Sequence, residues 1–439
     1  LKATSLFRED EGCYYVFIPS LSVLFRSHTP ISEFEMESDV YEQFHNRIVE
    51  NRISFGETAN QDMVHIVPTG ECHGGCSYCY AMDAWKDKGY VGWDTIKESI
   101  KLNNVNPNSF HVYGGEPLLK FESFKELYDG MKKDYPNADI GISTGLMIEE
   151  AEFSKFLNWL AFDCEGHFWT SVSLDAYEEG KPYTRRRWGN ETYEILKDRF
   201  RAIKKVTDNV GLRFTLTMNG SNPFPLLREM YEEYGEIIPA TTEMEDSDRF
   251  AMTEEQLDTL MSDLDSYVKD ILIPKGVLAT ARQDVLDRYL MQPLGNVFIR
   301  RSLTDGSRSC PAGSTALSIN QDGGVSSCSR VVELGREKDY SKIKTEQINR
   351  YLDPKGLPCD TCEYFASCGG GCAEALRMYH ENEELDDDLI SCKWRMRNID
   401  KAIEYAVKYG HKDVLHGIRD SSTIAKGFEE IIGFSSPTV

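Results

Sequence analysis

Apolar and polar positions along this chain change period several times, and the changes mark out its elements. From Met63 onward short apolar runs alternate with stretches of helical period, the mark of successive βα units. MVHIVPT predicts a first strand of this kind, WDTIKESIKL a helix, and FHVY a second strand ending in Gly114-Gly115-Glu116-Pro117. DIGIST, WTSVSLD and GLRFTLTM predict strands three to five, each preceded by an amphipathic helix, and EIIPATTE a sixth. Six parallel units suggest an α/β fold, a partial (βα)6 barrel. Before them, CYYVFIPSLSVLFRS predicts two short strands around Pro19-Ser20, and SDVYEQFHNRIVENR a helix opened by Ser38 or Asp39. After them, residues 254–295 have helical period without chemical motifs, and KWRMRNIDKAIEYAVKYG predicts an amphipathic helix near the C-terminal end.

Length and charge narrow the possibilities. A chain of 439 residues exceeds one hydrophobic core, which stops growing at about 250–300 residues. The pattern divides it into an N-terminal segment (1–60), the barrel (61–250), a helical bridge (251–305), a cysteine-rich domain (306–400) and a C-terminal helix and tail (401–439). The formal charge of −23 argues against a nucleic-acid partner, because phosphate contacts need clustered Lys and Arg. With no long apolar run and no signal-peptide pattern, a soluble, cytoplasmic protein without a membrane partner is expected. Twelve cysteines in such a chain point to metal rather than disulfides. Only Cys13 and Cys164 fall outside motifs.

The organising stretch is Cys72-His-Gly-Gly-Cys76-Ser-Tyr-Cys79, with cysteines separated by three and then two residues. Three thiolates on one loop can hold three irons of a [4Fe–4S] cube and leave the fourth open. Half a zinc site is the competing reading, but zinc prefers four ligands in paired knuckles, which this loop does not supply. Buried structural cysteines compete as well, against a His-Gly-Gly run that is polar and turn-forming. The loop, with Tyr78 before its third cysteine, resembles the signature of radical S-adenosylmethionine (SAM) enzymes. That resemblance implies that the open iron chelates SAM and that an electron from the cluster releases a 5′-deoxyadenosyl radical. It also gives Gly114, Gly115 and Glu116 the amino group of SAM. Ser143 and Thr144 at the end of strand three, and Ser173 and Asp175 at the end of strand four, are further candidate SAM contacts. Any of these could instead cap the next helix. Arg185, Arg186 and Arg187 form a basic patch that could reach a carboxylate or stay solvated.

A second cysteine set runs Cys310, Gly323, Cys328, then Cys359-x2-Cys362-x5-Cys368-x3-Cys372, then Cys392. Paired zinc knuckles remain an alternative for CDTC and CGGGC. The order and spacing resemble the SPASM domain, which implies two auxiliary [4Fe–4S] clusters and three clusters in all. By that resemblance Cys359, Cys362, Cys368 and Cys392 hold one, and Cys310, Cys328 and Cys372 hold the other, which is one ligand short. The stretch RRSLTDGSRS before Cys310 contains no cysteine to complete it. An iron without its protein thiolate can take a substrate thiol, as in the thioether-forming sactipeptide and ranthipeptide maturases this chain resembles. The expected partners are therefore a ribosomally made precursor peptide with a cysteine-containing core and an electron donor such as flavodoxin or ferredoxin. If Cys13, Cys164 or another group fills the gap, a carbon–carbon cross-link or formylglycine formation is the expectation instead. A zinc-stabilised peptide-binding scaffold without redox chemistry is the alternative from another class. Peptide-modifying relatives often carry an N-terminal leader-binding module, so residues 1–60 are either such a module or a cap on the barrel.

Overall fold

The chain starts with three strands, β1 (Thr4–Arg8), β2 (Cys13–Ile18) and β3 (Val23–Ser27), followed by helix α1 (Ser38–Thr58). The strands form an antiparallel sheet in the order β1-β2-β3. The sequence pattern anticipated β2, β3 and α1; β1, half-buried over most of its length, is additional. This is a computed structural model, and it describes residues 1–21, 23–79, 89–164, 168–244, 250–275, 312–328, 337–370 and 389–410.

β2 is buried on both faces, as the central strand of a covered sheet must be. Cys13, Tyr15 and Phe17 share one core with Leu24, Tyr364, Ile399, Ile403 and Val407. Val16 and Ile18 share another with Phe44, Ile48, Phe365 and Ala366. The N-terminal sheet therefore has the CDTC segment and the C-terminal helix Ile390–Tyr409 in its cores, contacts spanning more than 300 residues of sequence. By compactness, Leu1–Thr58 groups with Met261–Pro311 and Ile348–Val439 into one unit, and Ala59–Leu260 with Ala312–Gln347 into a second.

The second unit holds the βα repeats: β4 (Met63–Ile66), α2 (Trp93–Leu102), β5 (Ser109–Val112), α3 (Phe121–Asp134), β6 (Asp139–Thr144), α4 (Glu150–Phe162), β7 (Phe168–Ser173), α5 (Thr192–Lys204), β8 (Val210–Leu216), α6 (Phe224–Tyr234) and β9 (Ala240–Met244). β4 to β9 pair in parallel in sequence order. β9 begins later than its apolar pattern suggests. Pro239 has no N–H to give a ladder, and the residues before it serve as the connection after Gly235, whose left-handed backbone ends α6.

Two further strands complete an eight-stranded sheet. β10 (Ala316–Ile319) pairs in parallel with β4, and β11 (Val325–Ser326) returns antiparallel to β10. All four residues of β10 are buried, so no polar–apolar alternation betrays it in the sequence. Its hairpin turns on Asn320, whose Oδ1 accepts from the Gly324 N–H at 2.9 Å. Gly323 sits at φ +80°, and a Cβ there would lie 2.9 Å from Ser99 Oγ on α2.

One face of the repeat sheet is covered by helices: Phe168 packs among Phe124, Tyr128 and Trp159, and Phe110 meets Trp93. The other carries His65, His111, Ser143, Ser173 and Arg213, which are only half-buried. Beyond Glu254–Tyr267 and the wide helical turn Val268–Leu272, residues 276–305 of the anticipated bridge lie outside the described residues. No helix among the described residues is long and apolar enough to cross a membrane.

Candidate active site

β4 delivers the three-cysteine loop from its C-terminal end, where α/β sheets place their ligands. Two neighbouring segments hold that loop. On one side, the Gly115 N–H donates to Thr69 O at 2.9 Å and the Glu116 N–H to Glu71 O at 2.8 Å. A Cβ on Gly115 would stand 2.3 Å from Glu71 O, so only glycine permits this approach. On the other side, the Ser77 N–H donates to Thr184 O at 3.0 Å and the Arg186 N–H to Gly74 O at 2.9 Å. Gly115, Glu116 and Arg186, all singled out in sequence, thus brace the loop through their main chain.

Glu116 is buried, 1% exposed. It accepts from Thr144 Oγ1 at 2.7 Å, the Leu118 N–H at 3.1 Å and the Gly145 N–H at 2.9 Å. Burial pushes its carboxyl up, and these donors together with nearby Arg185 oppose that rise. Two residues proposed separately in sequence, Glu116 and Thr144, meet here. Just beyond them Leu146 adopts φ +53°, an uncommon backbone for a branched residue. Thr144 Oγ1 accepts the Leu146 N–H at 2.9 Å and Arg199 binds the Leu146 carbonyl at 2.7 Å, so the turn is fixed from both sides.

Tyr78 and Asp175 also meet. Tyr78 donates its hydroxyl to Asp175 Oδ2 at 2.6 Å, and Arg185 Nη2 reaches Asp175 Oδ1 at 3.0 Å and the Tyr78 hydroxyl at 2.7 Å. Thr184 Oγ1 donates to Asp175 at 2.6 Å, and the Thr215 N–H at 3.1 Å. Asp175 is wholly buried and engaged by protein donors on both oxygens. Cys76 is buried beside Arg185, and burial pushes its thiol up to about 11 against the pull of that guanidinium.

Ser143 points to the face away from the helices, 2.8 Å from His111 Nε2. Ser173 stands half-buried on the same face, in register with Arg213. Sequence reasoning passed over what surrounds them. His65, His111, Tyr113 and Trp169 form a ring cluster, and Arg213 pairs with Glu243. Burial and the charge of Arg213 lower His65 to about 4, and burial together with neighbouring His65 and then Arg213 holds His111 well below the usual histidine range. One signal was available: His65 and His111 occupy the same position in consecutive strands and pair in register.

The later cysteines fall into both units. Cys328 follows β11; Cys359, Cys362 and Cys368 lie around the CDTC turn, and Cys392 in the first turn of the C-terminal helix. The Cys368 N–H donates to Tyr364 O at 2.7 Å, and the Tyr364 N–H to Cys362 Sγ at 3.4 Å. Asp360, between the first two cysteines, is 3.0 Å from His45 Nε2 of α1. Cys13 lies in the core against which Cys362 and Cys368 pack, and Cys164 lies 3.9 Å from the Tyr128 hydroxyl. Cys310 and Cys372 lie outside the described residues. Among the described residues no three His, Cys, Asp or Glu converge as the ligands of a single metal ion. A cube takes one thiolate per iron and needs no such convergence. The three-thiol donor set, on a loop that Gly115 allows to lie flat on its neighbour, fits a cluster with one open iron.

The family described as a 4Fe-4S single cluster domain matches residues 63–178. No curated protein matches the sequence. Among solved structures, native anSMEcpe with bound AdoMet and the Cp18Cys peptide aligns with a TM-score of 0.55 and 17% identity, over 82% of this chain and 99% of that one. SuiB of Streptococcus suis bound to S-adenosylmethionine aligns with a TM-score of 0.52 and 14% identity, over 79% and 81% of the two chains. The chain therefore shares the fold of these two proteins, and its match to the single-cluster domain runs from β4 past the end of β7.

Proposed function

We propose that this protein is a radical SAM peptide maturase that joins a cysteine sulfur to a carbon of a ribosomally made precursor peptide. The supporting observation is the interlock of the three-cysteine loop with Gly114–Glu116: the residues expected to hold a cluster and those expected to hold SAM are one hydrogen-bonded unit. In this reading Cys72, Cys76 and Cys79 ligate the cluster. Gly114, Gly115, Glu116 and Thr144 orient the amino end of SAM, and Ser143 and Ser173 line the face beyond. A cluster and SAM held by these residues would supply the radical chemistry needed to remove one hydrogen atom from a peptide carbon.

What remains is chemistry of the peptide. The cysteine thiol gives up its proton, sulfur closes on the carbon, and one electron is handed to an oxidant. The second cysteine set is proposed to hold that oxidant as auxiliary clusters, and the missing cysteine before Cys310 leaves room for the substrate thiol. A flavodoxin or ferredoxin would supply the initial electron. The likeness to a peptide-bound anSMEcpe favours a second reading, oxidation of a Cys or Ser side chain to an aldehyde.

The test is anaerobic turnover with SAM, a strong reductant and a cysteine-bearing precursor peptide. Loss of two hydrogens together with loss of alkylatable thiol supports the thioether. A product that reacts with a carbonyl reagent supports the aldehyde. Absence of 5′-deoxyadenosine from iron-replete protein overturns both.

A further inference from the structure

Arg185 is the point at which the two halves of the site meet, and the chemistry so far gives it no task. It is 7% exposed, and a buried cation must be paired. Its partner, Asp175, is fully buried and held by Thr184 and the Thr215 N–H as well as by Tyr78. The pair is therefore oriented. The carboxylate lies on one side of the guanidinium, and Nη1 is directed to the other, 3.5 Å from Cys76 Sγ. The same Nη1 lies 3.6 Å from where a Cβ on Gly145 would stand, next to the N–H that binds Glu116. Arg185 Nε, also buried, has no hydrogen-bond partner among the described residues.

We propose that Arg185 is a positioning residue that keeps positive charge against the Cys76 sulfur and thereby raises the reduction potential of a cluster held by the Cys72, Cys76 and Cys79 loop, with Asp175 as its anchor. The inference rests on the reading of that loop as an iron–sulfur site. Reduction adds negative charge to a cluster already carrying thiolates, and a donor aimed at one sulfur favours the reduced form. The guanidinium fork also suits Arg185 for bonding Asp175, Tyr78 and Cys76 together, which a lysine ammonium cannot reproduce.

The two ends of the pair predict shifts of opposite sign. In the full chain with its iron–sulfur content reconstituted, the relevant signal is the one whose electron paramagnetic resonance changes when SAM is added. Its midpoint potential is expected to become more negative in Arg185→Gln and less negative in Asp175→Asn, where the arginine charge is no longer balanced. Arg185→Lys should move it in the same direction as Arg185→Gln, by less. A merely structural pair would give no such sign reversal, so potentials that stay put or move together overturn the proposal. Should Arg185→Gln fail to fold, the sign for Asp175→Asn decides alone. Wild-type protein without any SAM-responsive iron–sulfur signal overturns the reading of the loop itself, and this inference with it.

Discussion

The two cysteine regions are built in opposite ways. The first is local: three thiols within eight residues, on one loop after one strand, braced by segments of the same βα unit set. The described part of the second is assembled from afar, with Cys359, Cys362 and Cys368 packed on strands from the first thirty residues and on the C-terminal helix. The first is framed by polar groups, the buried Glu116, Asp175 and Arg185 and the half-buried Tyr78. The second is framed mainly by aromatic and aliphatic side chains. Polar framing suits a site that must bind a charged, reacting cofactor; apolar framing suits one that must exclude water.

The sharpest way to break the comparison is to remove a thiol from the first region. Cys76→Ala should abolish 5′-deoxyadenosine formation, and if the second set holds clusters as proposed, part of the iron should persist, measured by chromatography and iron analysis on the same sample. Gly115→Ala comes next. Its methyl would stand 2.3 Å from a backbone oxygen, and overpacking of this kind costs about 1–3 kcal/mol or more. A lowered melting temperature and reduced iron in the first region are expected. Thr144→Val removes a donor from a buried carboxylate. Leaving such a group short of a partner costs about 1–3 kcal/mol, to be read by denaturant unfolding, with a raised KM for SAM.

Acid should single out the barrel. His65 is held at about 4 in the folded chain against an ordinary 6.5, so the unfolded chain binds more protons in between, and stability falls as pH drops through that window. His65→Gln should flatten that part of the pH–stability curve relative to wild type. The smallest effect belongs to His45→Gln. Its contact with Asp360 is a single half-buried hydrogen bond, of a kind that contributes about 0.5–1.5 kcal/mol. Even so, it should perturb the spectrum of any cluster held, as proposed, by the second cysteine set and leave SAM cleavage unchanged. Loss of SAM cleavage in this variant would show the two regions are not separable.

The repeat strands were legible because each is a short apolar run at the right interval, and β6 follows its pattern from Asp139 to Thr144. The three-cysteine loop was legible because its spacing is itself the chemistry. β10 escaped because its burial is uniform, and β1 because a half-buried strand carries little pattern. The role of Arg185 escaped for a different reason. Nothing in Arg185-Arg186-Arg187 separates the residue that turns inward from Arg187, which pairs with Glu149 beside Trp188.

The sequence by itself determined the parallel βα architecture, the loop that can carry a cluster, and the Gly114–Glu116 run beside it, because each depends on contacts between neighbours in the chain or in consecutive units. Tertiary structure decided which carboxylate faces which cation, which histidines sit within the sheet's open face, and that the N-terminal strands share a core with the CDTC turn. Those outcomes depend on pairings separated by tens to hundreds of residues, and side-chain burial, which selects among them, exists only once the chain has folded.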